Sequence, residues 1–127
     1  MSEILFLIGR VIFGGFFLLN GVNNFRNFSS LKAYAESKKV PSSGWAVRIT
    51  GLMILLGGLG VMLDIYLKLS SLLIVIFLLG VSFKMHDYWS DQDPNMKMVN
   101  RVNFTKNMAL LGAALMLMAI SESSNSL

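Results

Sequence analysis

Four long apolar stretches, separated by polar segments, dominate the pattern of hydrophobic and polar positions. They cover residues 4–22, 46–63, 67–83 and 104–120. A helix that crosses a bilayer needs about 20 mostly apolar residues, because it rises roughly 1.5 Å per residue through a hydrocarbon core of about 30 Å. The pattern therefore predicts an all-α fold, a four-helix transmembrane bundle that forms a single integral-membrane domain over residues 1–127. The turn between the second and third stretches is short, so these two helices are expected to be antiparallel neighbours.

The two longer polar segments carry helix signals of their own. In the first, one of the adjacent serines, Ser29 or Ser30, is a predicted N-cap for the segment LKAYAESKK, and a proline that follows ends the helix. In the second, Asp93 and Pro94 predict the N-cap and first position of a short helix that ends at about Val102. We therefore expect a short interfacial helix in each of the two loops.

Basic residues are concentrated in and beside the same two loops. The first has Arg26, Lys32, Lys38, Lys39 and Arg48, and the second has Lys84, Lys97, Arg101 and Lys106. Loops rich in lysine and arginine stay in the cytoplasm. The sequence thus predicts a multi-pass protein of the cell membrane with both loops inside and both termini outside. Attraction to anionic lipid headgroups explains the net charge of +4 better than nucleic-acid binding does, so the bilayer is the expected partner.

The residue types that the chain lacks limit its chemistry. It has no cysteine and one histidine, His86, so it cannot build an iron–sulfur site, the usual zinc site or a two-histidine haem site alone. Asp91, Asp93 and Asn95 begin like a calcium loop, but Met96 stands where that loop requires glycine. We predict no metal site and no intrinsic cofactor. Any redox role would use a diffusible quinone, a lipid-like substrate or a partner subunit.

One face of the first stretch combines a charge with small and polar residues. At 4-3-4-3 spacing this face contains Arg10, Gly14, Phe17, Gly21 and Asn24. A charge inside a membrane costs roughly 2.5–3.5 kcal/mol, so the face is predicted to point into the bundle. Its glycines would let another helix approach closely. Two alternatives stay open for Arg10: it snorkels to the external headgroups, or it pairs with Asp64 at the external end of the second stretch.

Polar side chains from three of the four stretches are expected at one depth, near the cytoplasmic boundary. They are Asn20 and Asn24 of the first stretch, His86 and Asp87 after the third, and Asn103, Lys106 and Asn107 of the fourth. Asparagine cannot snorkel as far as lysine, so the amides need partners. We predict a hydrogen-bonded cluster of these side chains at the mouth of the bundle. Such a cluster could bind a ligand, or it could only fix the register of the helices.

The His86-Asp87 pair leaves a similar choice open. Histidine has an ordinary pKa of about 6.5 and could move protons at physiological pH. Neighbours on a helix point about 100° apart, however, so Asp87 need not contact His86. Tyr88 and Trp89, which follow directly, are typical of an aromatic belt at the boundary of a membrane.

The order of these motifs resembles the DoxX-like family of small four-helix integral membrane proteins. The chain contains GRVIFGGFFLLNGVNNF, TGLMILLGGLGVML, FKMHDYW and NFTKNMALLGAAL in that order, and the resemblance covers residues 9–120. It implies a four-helix membrane bundle. The residues carried over by matching position are Arg10, Asn20, Asn24, His86, Asp87, Asn103 and Asn107. The family takes its name from a subunit associated with a membrane quinol oxidase and thiosulfate:quinone oxidoreductase, but many members have no established activity.

Two functions from different classes fit these expectations. In the first, the protein is an accessory subunit of a membrane oxidoreductase. Asn103, Asn107 and His86 then hydrogen-bond the carbonyl oxygens of a quinone headgroup, or the mouth binds a small anion, and Lys106 supplies charge. In the second, it is a non-catalytic scaffold or lipid-binding module, whose glycine faces pack partner helices and whose basic loops hold anionic lipid. A stand-alone oxidoreductase or a transporter ranks third, because four short spans leave little room for a substrate path. Homo-oligomers stay open, as does whether the protein is an enzyme at all.

Overall fold

The computed structural model describes residues 1–123, with side chains described as far as Ser121. These residues form α1 (Ser2–Arg26), α2 (Phe28–Ser37), α3 (Ser43–Leu63), α4 (Leu67–Met85), a 3-10 turn (Tyr88–Ser90) and α5 (Pro94–Ser123). The described part of the chain contains no strand. Helices α1, α3, α4 and α5 are long and apolar enough to cross a membrane. The predicted all-α, four-helix transmembrane fold is therefore confirmed.

The two loop helices begin and end differently from the prediction. Helix α2 is present, but its N-cap is Asn27, and Ser29 and Ser30 lie inside its first turn. The reason is that α1 continues as far as Arg26, so the chain bends only at Asn27 before it becomes helical again. The predicted caps for α2 were wrong, although the helix itself is confirmed.

The second loop helix is the first part of α5. Asp93 caps it as predicted, since its Oδ1 accepts a hydrogen bond from the Asn95 N–H at 3.2 Å, and Pro94 is the first helical residue. A separate helix ending at about Val102 is not formed, and this prediction was wrong. No proline or glycine follows Pro94 until Gly112, so nothing interrupts the helix before it enters the fourth apolar stretch.

The backbones of α1 and α3 approach each other closely at glycines of both helices. A β-carbon added to Gly14 would lie 2.5 Å from the Gly58 carbonyl oxygen. Two turns further along, a β-carbon on Gly21 would lie 2.9 Å from the Gly51 carbonyl oxygen. Gly14, Phe17 and Gly21 are all buried, so the predicted inward face of the first stretch is confirmed. The two backbones come close because glycines of both helices stand at these contact points.

Helix α3 also packs against α4, and α4 packs against α5. The loop from Asp64 to Tyr66 joins α3 to α4, which pack as antiparallel neighbours, as predicted. Buried side chains from all four long helices meet in the core: Phe17, Ile54, Val61, Leu67, Ile74, Val75, Leu78 and Ala114. On the side between α1 and α5 a crevice remains.

The helices define two ends of the fold. One end has α2, the 3-10 turn and the start of α5, and we call it the α2 end. The other has Met1, the α3–α4 loop and the end of α5, and we call it the terminal end. That the α2 end faces the cytoplasm stays a prediction from the charge pattern.

The contact between α1 and α3 can be tested with Gly14→Ala. The added methyl group has to displace backbone, so we expect the free energy of unfolding to fall by about 1–3 kcal/mol. Gly112→Ala is the matched control, because a β-carbon there meets nothing within 4 Å. Both variants gain the same intrinsic helix propensity. Thermal unfolding in detergent measures the difference, and equal melting temperatures would contradict the close packing.

Candidate functional site

A buried amide at the α2 end joins three segments of the chain. Asn100 lies in the second turn of α5 and is 1% exposed. Its Nδ2 donates to Asp91 Oδ2 at 2.7 Å and to the Tyr34 hydroxyl at 2.9 Å. Its Oδ1 lies 3.0 Å from His86 Nδ1. The Tyr34 hydroxyl donates to the Met85 carbonyl oxygen at 2.9 Å. Asn100 therefore connects α2, the end of α4 and the loop that precedes α5.

This network assigns the tautomer of His86. An ionised carboxylate only accepts hydrogen bonds, so the Asp91 side chain requires the nitrogen of the Asn100 amide. The amide oxygen then faces His86, and Nδ1 of the ring must carry a proton. In the neutral ring Nε2 is consequently the acceptor. His86 makes no hydrogen bond with Asp87 in the part of the chain that the structure describes, but both residues follow the last residue of α4, so the expected divergence on a helix is not the reason.

Lys38 adds two ion pairs to the same network. Its Nζ lies 2.7 Å from Asp87 Oδ1 and 2.9 Å from Asp91 Oδ1, and its side chain is 12% exposed. Burial opposes the ammonium charge, but hydrogen bonds to Asp87 and Asp91 outweigh it and raise the pKa of Lys38 to about 12. The hydrogen bond from Asn100, followed by that from Lys38, holds the pKa of Asp91 below its ordinary value.

We call this set the Asn100 cluster, and its members are Tyr34, Lys38, His86, Asp87, Asp91 and Asn100. Its donors and acceptors are largely directed at one another. A polar network whose members satisfy each other is rigid and fixes one arrangement of the segments that it joins. The cluster therefore fastens α2 to the loop between α4 and α5.

The asparagines of α1 do not reach this cluster. Asn20 donates to the Phe16 carbonyl oxygen of its own helix at 2.8 Å. Asn24 donates from Nδ2 to the Val47 carbonyl oxygen at 3.0 Å and to Thr50 Oγ1 at 3.4 Å. Asn24 therefore binds α3, although it lies on the inward face that the sequence predicted.

The predicted residues of α5 also lie apart from His86. Asn107 is buried, but neither it nor Asn103 makes a side-chain hydrogen bond within residues 1–121. The Lys106 ammonium lies 5.5 Å from the centre of a phenylalanine ring of α1. The prediction of one hydrogen-bonded cluster of all these side chains was therefore wrong.

The physical reason is the unbroken course of α5. Because the helix starts at Pro94, the amide level with His86 is Asn100, and Asn107 lies two turns, or roughly 10 Å, further into the bundle. The seven-residue spacing places Asn100 and Asn107 on one face, and this was the signal for Asn100 that sequence reasoning missed. It also missed Tyr34, Lys38 and Asp91, whose partners are distant in sequence.

A cavity of about 220 Å³ lies beneath α2, and we call it the α2 cavity. It is lined by Asn24, Leu31, Ala35, Val40, Ala46, Val47, Thr50, Met53, Ile76, Phe77, Gly80, Val81, Lys84 and Met85. An apolar cavity of roughly 150 Å³ is enough to hold benzene. The α2 cavity therefore has room for a six-membered ring with small substituents.

Few polar groups line this cavity. The Nδ2 of Asn24 donates hydrogen bonds to α3, while its Oδ1 accepts no hydrogen bond from the described residues. Lys84 also lines the cavity and makes no ion pair with the part of the chain that the structure describes. On α4, a β-carbon added to Gly80 would meet nothing within 4 Å, so the cavity opens beside this residue. The arrangement suits a flat, mostly apolar molecule with oxygen atoms.

Arg10 lies at the terminal end, far from the other predicted site residues. Its Nη1 is 3.1 Å from Asp64 Oδ2. Of the two alternatives that the sequence left open, the ion pair with Asp64 is the one observed.

Comparisons with known proteins give one match. A model of the DoxX family matches residues 5–87, which is more than half of the chain. The matched segment contains α1 except for its first three residues, all of α2 to α4, and ends before α5. No curated protein and no solved structure is matched.

Replacing the central amide tests the Asn100 cluster. Asn100→Leu keeps the size of the side chain but leaves Tyr34, His86 and Asp91 without this partner, so we expect a loss of about 1–3 kcal/mol in unfolding free energy. Asn103→Leu, one turn along α5, is the matched control because Asn103 makes no such hydrogen bonds among the described residues. Thermal unfolding in detergent measures both, and an equal response of the two variants would refute the cluster.

The pH dependence of stability tests the ion pairs of this cluster. A carboxyl group whose pKa is lowered by folding stabilises the protein above its unfolded pKa, and this contribution is lost as the pH falls through the folded value. We therefore expect wild-type stability to decrease below about pH 4, and we expect Asp91→Asn to show a smaller decrease. Asp93→Asn, outside the cluster, should follow the wild type. Melting temperatures from pH 7 to pH 3 check this, and parallel curves for all three proteins would contradict it.

Proposed function

Because the chain belongs to the DoxX family and is a multi-pass membrane protein, we propose that it is an accessory subunit of a membrane redox system that binds a quinone-like molecule in the α2 cavity. From the sequence alone, such a ligand is expected at the polar residues after the third stretch and at the start of the fourth. The N–H of the neutral His86 ring is directed at Asn100, however, and is not available to a quinone carbonyl, so the α2 cavity is the better supported position.

The observation that carries the proposal is the position and lining of this cavity. It lies between helices long enough to cross a membrane, and it opens at the surface of α4 beside Gly80. A lipid-soluble molecule can enter there from the bilayer without passing through water. The walls are mostly apolar, and small-molecule sites of this kind use a few polar groups to fix the orientation of the ligand.

The polar groups available match both redox forms of a quinone. The Nδ2 of Asn24 is engaged with α3, so its free Oδ1 can accept a hydrogen bond from a quinol hydroxyl but cannot donate to a quinone carbonyl. The Lys84 ammonium, which also lines the cavity, can donate to an oxygen of either redox form. The chain's own residues thus provide binding and orientation, and a partner subunit would carry the electrons.

The scaffold function is the weaker candidate. It requires glycine faces that are free to pack the helices of a partner. The faces of α1 and α3 that contain Gly14, Gly21, Gly51 and Gly58 are instead packed against each other within the chain. The basic loops would still support binding of anionic lipid.

Filling the α2 cavity tests the proposal. We expect ubiquinone-1 to raise the melting temperature of the purified wild-type protein, since a ligand at 100 times its dissociation constant adds about 2.7 kcal/mol to stability. Gly80→Leu places a side chain in open space at the cavity and should abolish the increase. Gly112→Leu, also into open space but away from the cavity, should retain it.

A second variant tests the hydrogen bond. Asn24→Leu should weaken binding of the reduced form, ubiquinol-1, by roughly tenfold, which corresponds to one hydrogen bond of about 1.4 kcal/mol from a quinol hydroxyl to Oδ1. No increase in the melting temperature of the wild type, or an equal increase in Gly80→Leu, would refute the site. The role as a subunit is checked by purification from native membranes in mild detergent, where it requires a quinol-oxidising activity that co-purifies with the chain.

A further inference from the structure

A second opening in the fold lies at the terminal end, between α1 and α5. It is a crevice of about 310 Å³ whose α1 wall includes Leu5, Phe6 and Gly9 and whose α5 wall includes Met116 and Ile120. All of these residues are apolar or lack a side chain. Arg10 is the one charged side chain that lines it within the described part of the chain. An apolar channel with one cation at its wall is suited to an amphipathic molecule with an anionic group.

The guanidinium of Arg10 has unused donors at this position. Its side chain is 11% exposed, whereas that of its partner Asp64 is 53% exposed. The ion pair engages Nη1, but the Nε N–H is buried and finds no hydrogen-bond partner among the described residues. Buried donors without partners are rare in folded proteins, and in a membrane there is little water to replace the missing acceptor. A small rotation of the guanidinium would present this donor to an oxygen atom in the crevice.

We propose that this crevice binds a membrane glycerophospholipid, with one acyl chain between α1 and α5 and the phosphodiester group hydrogen-bonded to Arg10. The side of a guanidinium that carries Nε and Nη2 presents two parallel N–H groups, which match two oxygens of a phosphate. Because Asp64 occupies Nη1, this side is the one directed away from the ion pair. The site is separate from the α2 cavity and does not depend on the proposed quinone.

The depth of Arg10 fits this occupant. Arg10 follows the first residue of α1 by eight positions, which corresponds to roughly 12 Å along the helix. Side chains on a helix lean toward its N-terminus, so the guanidinium lies nearer the end of the bundle than its Cα does. Asp64, at the end of α3, marks the same level. One turn deeper than Arg10, Phe13 also lines the crevice, so its apolar wall continues from the cation toward the middle of the bundle, where an acyl chain would lie.

Lipid binding can be measured on the whole protein by native mass spectrometry from detergent. We expect wild-type protein to retain one dioleoylphosphatidylglycerol molecule with roughly tenfold higher affinity than dioleoylglycerol, which has the same chains without the phosphate. Arg10→Gln should remove this preference. Gly9→Leu, whose β-carbon meets nothing within 4 Å, should fill the crevice and weaken both lipids. This variant tests the site even if Arg10→Gln fails to fold.

Two matched variants separate this site from other surfaces. Gly112→Leu lies outside the crevice, and Gly80→Leu blocks the α2 cavity, so both should keep the wild-type affinity for phosphatidylglycerol. Equal binding of dioleoylglycerol and dioleoylphosphatidylglycerol would overturn the role of Arg10. Unchanged lipid binding in Gly9→Leu would overturn the crevice itself. A lost ubiquinone-1 response in Gly80→Leu together with retained lipid binding would identify two independent sites.

Discussion

The contact of α1 with α3 along their glycines determines where both ends of α1 are placed. Because Gly14 and Gly58 bring the two backbones together, the polar residues on the same face of α1 must meet α3 as well. At the α2 end Asn24 reaches a carbonyl oxygen of α3, and at the terminal end Arg10 reaches Asp64. Glycine packing thus positions one polar contact at each end of the bundle, and each contact adjoins one of the two openings.

The Asn100 cluster and the α2 cavity lie at the same end of the fold but differ in chemical character. In the cluster a neutral amide connects a tyrosine, a histidine and a carboxylate, so α2 is held by groups that bind one another. The cavity beneath α2 has the opposite character, since its walls are mostly apolar and its amide oxygen accepts no hydrogen bond from the described residues. His86 and Asp87, which are conspicuous in the sequence, therefore hold the fold together at this end. The candidate contacts for a ligand come from Asn24 and Lys84.

The sequence predicted the four long helices and the inward face of α1 because both depend on local periodicity. It also predicted the start of α5 at Pro94, since capping chemistry is local. It could not predict the Asn100 cluster, in which Tyr34 and Asn100 are 66 positions apart and meet only through the packing of α2. The partner of Asn24 was equally hidden, because a backbone carbonyl such as that of Val47 has no signature in the sequence. The family match ends at residue 87, so it also says nothing about α5 or the role of Asn100.

The attachment of α2 has a consequence for kinetics. A molecule in the α2 cavity could leave either past Gly80 or by displacement of α2. The second route breaks the Tyr34 hydrogen bonds and both Lys38 ion pairs in one event, so it is the rarer of the two. If the proposed ligand binds in this cavity, its residence time would be set by the gap beside Gly80, and a residue there that is smaller than leucine, such as alanine, would slow exchange with the bilayer without preventing binding.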